Sequence, residues 1–228
     1  MSMAANWTIA PVGDRCLIVE FGQSIAPAIN ETVRNFAAQM LDAPVPGIVD
    51  VVPAFTTVAL HYRPECFTYE VLRQRIENLL ACGIRQRQGQ TRTVEIPVCY
   101  GGEYGIDLNE VAAACGMTPT QVIEHHLASA HQVYMLGFVP GLAYIGGLDA
   151  KLTVPRRSTP RTSVPAGSIA IASDQTCIYP LESPGGWNLI GRTRLRLFDA
   201  SLESPCLLQP GDRVRFVPIS PEAFGGAQ

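Results

Sequence analysis

The chain has 228 residues, of which 47% are hydrophobic and 16% are charged, and its formal net charge at pH 7 is −3. This length and composition allow one large hydrophobic core or two modest ones, and they exclude a disordered or fibrous protein. The acidic balance also argues against nucleic acid as a partner, because DNA- and RNA-binding modules concentrate positive charge.

The first part of the chain predicts alternating strands and helices. The predicted elements are, in order, a strand at 15–21, a helix at 27–41, strands at 48–52 and 57–62, a helix at 68–82 and a strand at 91–98. The strands are β-branched runs, and the helices carry apolar residues at helical spacing. This β-α-β-β-α-β order is the split βαβ pattern of ferredoxin-like domains. It places residues 1 to about 90 in one α+β unit.

Two short helices are predicted next. The glycines of YGGEYG, at 100–105, interrupt the pattern, and Asp107 is then predicted to cap a helix. Thr118 and Pro119 start a second helix that reaches about residue 128, because proline is favoured in the first turn of a helix. These helices belong to the second predicted unit, residues 91–228.

The rest of the second unit predicts a β-barrel. Its short β runs include 168–172, 195–198 and 213–218. They are separated by PG, SPGG and QPGD turns, a spacing typical of a closed or nearly closed barrel. The final residues, PEAFGGAQ, are predicted to be frayed.

The seven cysteines are odd in number, form no CxxC pair and have no histidine at zinc-finger spacing. We therefore expect reduced and mostly buried thiols. The first residues lack the basic start and apolar run of a secretory signal, and no segment reaches the ~18 apolar residues of a membrane span. The expected location is the cytoplasm, without a membrane partner.

Several catalytic signatures are absent from the sequence. There is no GxxxxGK[ST] phosphate loop, no GxGxxG, no GxSxG and no HExxH. His125 and His126 are adjacent on a predicted helix and point about 100° apart, so they do not converge on a metal ion. We interpret them as structural or solvated residues, and no metal site is predicted.

Proline, glycine, arginine and aromatic residues recur in three blocks between His131 and Thr193. The blocks are HQVYMLGFVPGLAYIGG, PRRSTPRTSVPAGSIAIA and QTCIYPLESPGGWNLIGRT. Glycine supplies backbone conformations closed to other residues, proline fixes φ, and arginine offers a planar fork of donors. Their combination predicts a shaped surface that binds anions.

Four cations, Lys151, Arg156, Arg157 and Arg161, lie within eleven residues with no acidic residue between them. They could bind a carboxylate or phosphate, and the prolines of this loop would lower the entropy lost when the arginines are fixed. The alternative is a solvated loop. Arg192, just after the SPGGW turn, would join the arginines if the two loops meet at one barrel mouth.

The third block supplies further candidates for the site. They are Gln175, Tyr179, Ser183, Gly185, Gly186 and Trp187. The two glycines allow backbone N–H groups to approach an anion, and Trp187 would form a flat wall beside them. The alternative is a hairpin with the tryptophan folded onto the barrel.

His131 ends the predicted helix and opens the first block, three residues before Tyr134. The near-neutral pKa of histidine suits proton transfer. A histidine hydrogen-bonded at a helix end is the other interpretation, and the sequence leaves both open.

Long motifs identify a resemblance. GDRCLIVEFG, VYMLGFVPGLAYIGGLD, PRRSTPRTSVPAGSIAIA and QTCIYPLESPGGWNLIGRT resemble the PxpB/KipI family, also described as allophanate hydrolase subunit 1 or the carboxyltransferase C and D subdomains. The resemblance runs from about residue 7 to residue 218. It implies a small N-terminal α+β domain followed by a cyclophilin-like β-barrel.

The resemblance also implies a function. Similar proteins act as the B subunit of a bacterial 5-oxoprolinase, a hetero-oligomer that opens 5-oxo-L-proline to L-glutamate at the expense of ATP. The implied partners are an A subunit, plus a C subunit that is homologous to this chain. Related sequences are fused into urea amidolyase, and one branch inhibits a sporulation sensor histidine kinase. Because one fold carries several functions, a non-catalytic kinase inhibitor stays open as the alternative.

A five-membered lactam is a poor electrophile, so the implied reaction activates its amide oxygen, by phosphorylation, before water attacks. In this hypothesis Arg157, Arg161 and Arg192 hold the carboxylate or phosphoryl oxygens of the substrate. Gly185 and Gly186 donate backbone hydrogen bonds to developing negative charge.

The implied proton-transfer candidates are His131 and Tyr134. Because the chain has no phosphate loop, we expect the ATP site to be shared with the C subunit.

One segment departs from the family pattern. Where the family commonly reads IAGGQTGIYP, this chain reads IASDQTCIYP, with Ser173, Asp174 and Cys177 in place of glycines. If those glycines have positive φ or approach a ligand closely, the loop changes here, and the charge of Asp174 disfavours an anion. Aspartate tolerates left-handed conformations better than most residues, so the fold itself need not change.

Overall fold

The computed structural model describes residues 7–86 and 91–225. The chain divides into two units, Met1–Gln90 and Thr91–Gln228. Each unit buries a large hydrophobic cluster drawn from its own residues. Within the described ranges, no helix combines the length and the apolar character needed to cross a membrane.

The first unit is a four-stranded sheet with two helices. Its elements are β1 (Thr8–Val12), β2 (Cys16–Glu20), α1 (Pro27–Asp42), β3 (Ile48–Pro53), β4 (Thr57–Tyr62) and α2 (Tyr69–Ala81). The strands pair antiparallel in the order β1-β2-β4-β3. Phe36 of α1 and Ile76 of α2 belong to the same buried cluster as Leu17 and Leu60 of the sheet. Both predicted helices and the three strands between residues 15 and 62 are confirmed.

The predicted ferredoxin-like arrangement is not confirmed, because the strand predicted at 91–98 lies outside this sheet. It forms part of β5 (Thr93–Tyr100), which belongs to the barrel of the second unit. The edge of the sheet is instead formed by β1, which reaches β2 through a turn in which Gly13 has a φ of 67°. The segment TIAPV of β1 carries no strand signal, because it contains Pro11 and is mostly exposed.

The second unit contains a closed seven-stranded barrel, as the turn spacing predicted. Its remaining strands are β6 (Gln132–Leu136), β7 (Ala143–Gly146), β8 (Arg161–Val164), β9 (Ser168–Ala172), β10 (Gln175–Ile178), β11 (Ser183–Gly185), β12 (Asn188–Arg192) and β13 (Arg213–Pro218). The barrel order is β10-β7-β6-β13-β5-β12-β9, and β8 pairs separately with β11. The barrel core includes fully buried residues such as Ile96, Ile145, Ile169 and Ile190. This architecture is α+β and consistent with a cyclophilin-like barrel.

Over the described residues, three α-helices accompany the barrel, α3 (Leu108–Cys115), α4 (Pro119–Ala128) and α5 (Pro221–Gly225), and a 3-10 helix spans Ala150–Leu152. The start of α4 is a capping box in which Thr118 and Gln121 satisfy each other's backbone N–H groups. Asp107 precedes α3 as predicted, but its carboxylate makes no capping bond. The end of the chain also differs from the prediction, because residues 221–225 are helical; residues 226–228 lie outside the described ranges.

The strand predicted at 195–198 is wrong. In this segment the structure has one isolated bridge, between Phe198 and Cys206. The backbone N–H of Leu195 donates to the hydroxyl of Thr193, three residues short of that bridge. The alternating pattern of this segment therefore reflects an extended chain with one buried side, rather than a paired strand.

The seven cysteines are all free thiols. Cys16, Cys99 and Cys177 are buried, whereas Cys66 and Cys82 are exposed and the other two are half-buried. The expectation of mostly buried thiols was therefore wrong, although the absence of pairing agrees with the scattered spacing.

Candidate functional site

A cavity of about 270 Å³ opens in the second unit beside Trp187, and we call it the Trp187 pocket. Strands β7 and β10 each contribute one side chain to its wall, and the β6–β7 loop, the segment before β8 and the segment around β11 contribute the rest. The lining residues that carry the argument are Phe138, Tyr144, Arg156, Cys177, Tyr179 and Trp187. A concave, mostly apolar wall with a few polar groups is the usual character of a small-molecule site.

The hydroxyl of Tyr179 is held at the pocket wall by the backbone. It accepts a hydrogen bond from the N–H of Trp187, and it lies so close to Gly185 that an added Cβ there would be 2.3 Å from the hydroxyl oxygen. Gly185 is therefore required by this contact. Burial raises the pKa of Tyr179, so the hydroxyl keeps its proton at neutral pH and can donate it to a ligand oxygen.

Arg156 places a positive charge at the same wall. Its guanidinium carbon lies 5.6 Å from the centroid of the Trp187 ring, a cation–π geometry. The Trp187 ring meets Tyr144 edge-on, with centroids 6.0 Å apart. Burial raises the pKa of the Cys177 thiol, and the nearby charge of Arg156 opposes that rise. In the described part of the chain, Arg156 has no carboxylate partner.

Arg157 and Arg161 are bound to a carboxylate of the protein. Asp107 is buried, and its Oδ1 accepts from Arg157 Nη1 at 2.9 Å and from Arg161 Nη2 at 2.6 Å. Its Oδ2 accepts from the N–H of Leu189 at 2.7 Å, and Arg157 also bonds with the exposed Glu110. Arg157 lines the Trp187 pocket, and one Nη group of each arginine is directed to this internal carboxylate. Their anion-binding role stays a prediction.

The two proton-transfer candidates lie elsewhere. His131 donates from Nε2 to the carbonyl oxygen of His126 at 2.8 Å, and its ring meets that of Phe216 at 4.8 Å. Burial lowers the pKa of His131 to about 4, so the ring is neutral. Tyr134 packs over Gly146, where an added Cβ would lie 2.1 Å from the tyrosine ring. Among the described residues, neither side chain lines the Trp187 pocket.

Three further candidates are also outside the Trp187 pocket as the described residues define it. Arg192 lines a different cavity, where its Nε donates to the carbonyl oxygen of Ala166 at 2.8 Å. Gln175 is buried at the start of β10. Ser183 lies opposite Val164, and its buried hydroxyl has no partner in the described ranges.

Tyr179, Gly185, Gly186 and Trp187 do meet in the pocket. The carbonyl oxygen of Gly186 accepts from the N–H of Arg157 at 2.7 Å, which ties the SPGGW turn to the arginine loop. The two loops therefore meet, which the sequence left as a condition, and Arg156 rather than Arg192 lines the pocket there.

Sequence reasoning missed Phe138 and Tyr144 and left Arg156 uncommitted. Phe138 has a φ of 71° and is 68% exposed, a strained conformation for a bulky residue at a pocket wall. The glycines and proline around it in LGFVPG were the available signal. Tyr144 could have been found as the alternate residue of the strand AYIG.

The segment that departs from the family pattern, with Ser173, Asp174 and Cys177, affects one wall of the Trp187 pocket. Ser173 has a φ of 53°, so this position does require a left-handed backbone, and its N–H donates to the carbonyl oxygen of Val154 at 2.6 Å. Cys177 lines the pocket as a buried thiol. Asp174 is exposed, and in the described part of the chain it does not line the pocket.

The histidines of α4 have structural partners. His125 bonds with Asp149 at 2.7 Å, and the buried His126 bonds with the hydroxyls of Tyr100 and Thr176. Over residues 7–86 and 91–225, no three His, Cys, Asp or Glu side chains converge as they would around a metal ion.

The comparisons with known proteins agree with this architecture. The family described as carboxyltransferase domain, subdomain C and D matches residues 7–208. The chain belongs to this family. The matched range includes the α+β unit and most of the barrel unit.

Two curated relatives are both named as the B subunit of 5-oxoprolinase. The B subunit of 5-oxoprolinase from Haemophilus influenzae is 50% identical, with 92% of this chain and 96% of the relative covered. The B subunit of 5-oxoprolinase from Bacillus subtilis is 40% identical, with 97% of each chain covered. These proteins are similar over their whole length to this member of the carboxyltransferase family.

A solved structure gives a third comparison. The crystal structure of TTHA0988 superimposes with a TM-score of 0.79 at 40% identity, and the match covers 90% of this chain. It covers 40% of TTHA0988, so the chain spans about two fifths of that protein.

Proposed function

We propose that this chain is the B subunit of an ATP-dependent 5-oxoprolinase that opens 5-oxo-L-proline to L-glutamate. The observation that carries the proposal is the identity of 40% and 50% with proteins named as the B subunit of 5-oxoprolinase, over more than nine-tenths of both chains. The free cysteines are compatible with action in the cytoplasm, where thiols stay reduced.

The proposal includes the C and A subunits as partners. The designation of the relatives as a subunit supports a multi-subunit enzyme. TTHA0988 adds support, because the region equivalent to this chain is part of a longer polypeptide there. The catalytic site is then assembled from this chain and a partner.

The Trp187 pocket is the proposed binding site for 5-oxo-L-proline, a small ring that carries a lactam and a carboxylate. Arg156 pairs with the carboxylate, because it is the pocket cation without a carboxylate partner in the described ranges. Trp187 and Tyr144 pack against the ring. Tyr179 donates its hydroxyl proton in a hydrogen bond to a substrate oxygen, while its own oxygen accepts from the Trp187 N–H.

The contribution of this chain is binding and orientation. Holding the lactam between a cation and a hydrogen-bond donor fixes the face of its carbonyl that water approaches. ATP supplies the phosphoryl group that makes the lactam carbonyl a better electrophile. The Trp187 pocket, at about 270 Å³ and with one unpaired arginine among the described residues, suits the lactam and does not suit a triphosphate. The ATP site is therefore proposed to be shared with the C subunit.

The test is glutamate formation from 5-oxo-L-proline and ATP. The chain is co-expressed with homologues of the C and A subunits, and the same preparation is made without it. The proposal predicts activity in the complete set and none when this chain is omitted. Full activity without this chain contradicts the proposal and favours the alternative, an inhibitor of a sensor histidine kinase.

A variant connects the activity to the pocket. Tyr179→Phe removes the donor and keeps the ring, so kcat/KM is expected to fall about tenfold, the loss of one hydrogen bond to a charged or polarised oxygen. Arg213→Gln changes an exposed residue of β13 outside the pocket and serves as the matched control. If Tyr179→Phe and Arg213→Gln have the same kcat/KM, the reaction takes place outside the Trp187 pocket.

A further inference from the structure

A second cavity, of about 570 Å³, lies in the same unit, and we call it the Arg192 pocket. Among the described residues it shares no lining residue with the Trp187 pocket. The lining residues used here are Tyr104, Gly167, Arg192, Arg194, Arg196 and Phe224. Its described lining includes three arginines and no aspartate or glutamate.

The three arginines belong to one short segment that lines the cavity. Arg192, Arg194 and Arg196 alternate with Thr193 and Leu195, and Thr193 is buried. All five residues of this segment line the cavity. Three guanidinium groups are therefore brought to one cavity by a segment of five residues.

Arg192 is fixed by the backbone. Its Nε donates to the carbonyl oxygen of Ala166 at 2.8 Å. The neighbouring Gly167 has a φ of 80°, and its carbonyl oxygen accepts from the N–H of Thr193 at 2.8 Å. A Cβ on Gly167 would lie 2.0 Å from the carbonyl oxygen of Thr193, so the close approach that positions the Ala166 carbonyl requires glycine.

This arrangement leaves the end of the Arg192 side chain available. The described residues offer no acceptor to either of its Nη groups. Arg157 and Arg161, by contrast, each direct one Nη group to Asp107. An arginine that is oriented by a carbonyl and has an open fork is preorganised for an oxyanion, because little entropy remains to be lost on binding.

The neighbours of Arg192 complete the cavity. Arg194 donates from Nη1 to the carbonyl oxygen of Phe224 at 2.8 Å, which ties α5 to the cavity. The ring of Phe224 packs on Tyr104, with centroids 4.3 Å apart. Together they give the cavity an apolar wall beside its cations.

The acidic groups of the surrounding elements do not neutralise Arg192. Asp199 pairs with Arg196 at 2.8 Å, and Glu103 bonds with the side chain of Tyr104. Burial raises the pKa of the Cys99 thiol, and the charge of Glu222, on α5, adds to that rise. In the described part of the chain, none of the three carboxylates lines the cavity.

We propose that the Arg192 pocket binds an oxyanion, the phosphate or carboxylate of a small ligand, with Arg192 as the bidentate donor. The inference rests on the geometry of this cavity and is independent of the proposed 5-oxoprolinase activity. It assigns the chain a second ligand site, separate from the Trp187 pocket.

The test uses the full chain without partners. It is titrated with inorganic phosphate and, separately, with acetate, and the NMR shifts of its backbone amides are measured at each step. Saturable shifts at residues 166–167 and 192–196 are expected with at least one anion. Arg192→Gln is expected to weaken the affinity about tenfold or more, the value of one charge-assisted bond. Arg213→Gln, which removes an exposed arginine of the same unit, is expected to leave it unchanged.

The two anions distinguish the source of the oxyanion, since a response to phosphate alone identifies a phosphate ligand and a response to acetate a carboxylate. Arg192→Lys keeps the charge without the planar fork and guards against a folding defect, and it is expected to bind with intermediate affinity. The proposal is overturned if neither anion shifts these residues, or if a folded Arg192→Gln binds as tightly as the wild type.

Discussion

Arg156 and Arg157 are neighbours in the sequence and have opposite environments. Arg157 bonds with the buried carboxylate of Asp107 and with Glu110, so its charge is neutralised inside the protein. Arg156 lies over the Trp187 ring and has no carboxylate partner among the described residues. The fold therefore divides a run of basic residues into arginines with internal carboxylate partners and an arginine that stays available for a ligand.

The partner in this case comes from far away in the sequence. Asp107 precedes α3, and it is held by the N–H of Leu189 as well as by the two arginines. Removing a buried carboxylate that accepts several charge-assisted hydrogen bonds lowers the free energy of unfolding strongly. An exposed cation without a partner lowers it little. Stability and binding should therefore respond to different substitutions.

The largest effect is expected when the shared carboxylate is removed. Asp107→Asn leaves Arg161 without its anionic partner and is expected to lower the free energy of unfolding by about 3 to 5 kcal/mol. Urea titrations followed by the fluorescence of Trp187, with Trp7 replaced by Phe in every variant, measure this change. Glu110→Gln is the control, since its carboxylate is 69% exposed and its loss should cost less than about 0.5 kcal/mol. Equal stability of Asp107→Asn and wild type would contradict the account.

The free energy of unfolding should also depend on pH, because two histidines of the second unit are buried. Burial lowers the pKa of His131 from 6.5 to about 4, and it lowers that of His126 as well. The unfolded chain binds a proton at a higher pH than the folded chain does. The contribution of neutral His131 to the free energy of unfolding is therefore fully present above pH 6.5 and is lost as the pH falls toward 4. The loss from His131 is roughly 3 kcal/mol.

The same urea titrations between pH 7.5 and pH 4.5 check this slope. His131→Phe keeps a ring in the cluster with Phe216 and removes the titrating group, so its stability should fall less steeply with acid. An acid loss in His131→Phe at least as steep as in wild type would show that His131 is not the group responsible.

A smaller effect is expected from a matched pair of glycines in the pocket wall. An added Cβ at Gly185 would lie 2.3 Å from the Tyr179 hydroxyl, whereas at Gly186 the nearest atom, of Pro160, is 3.5 Å away. Gly185→Ala is therefore expected to cost about 1 to 3 kcal/mol and to displace Tyr179, and Gly186→Ala should be tolerated. Urea titrations of both variants measure the difference, and the reverse order of stability would refute the assigned contact.

Much of the fold could be predicted because its signals are local. The capping box of α4, the amphipathic helices of the first unit and the turns between barrel strands are each encoded within a few residues. Strand β1 and the partner of β5 could not, because an exposed strand containing proline lacks alternation and sheet pairing is set by distant segments.

The site could be predicted in part. The SPGGW turn and Tyr179 are recognisable from glycine and aromatic residues close together in sequence, and the structure brings them into one pocket. The roles of Arg157 and Arg161 depend on a carboxylate about fifty residues earlier, and no local pattern reveals it. Phe138 was missed because its strained conformation arises from the loop around it.

The most direct test compares Arg156→Gln with Arg157→Gln, using KM for 5-oxo-L-proline in the assembled enzyme and the free energy of unfolding of the isolated chain. Arg156→Gln is predicted to raise KM about tenfold or more and to leave the stability within about 0.5 kcal/mol. Arg157→Gln is predicted to lower the stability by about 1.5 to 3 kcal/mol, with KM changed less than about twofold. An unchanged KM in Arg156→Gln, or a raised KM without loss of stability in Arg157→Gln, would contradict the account.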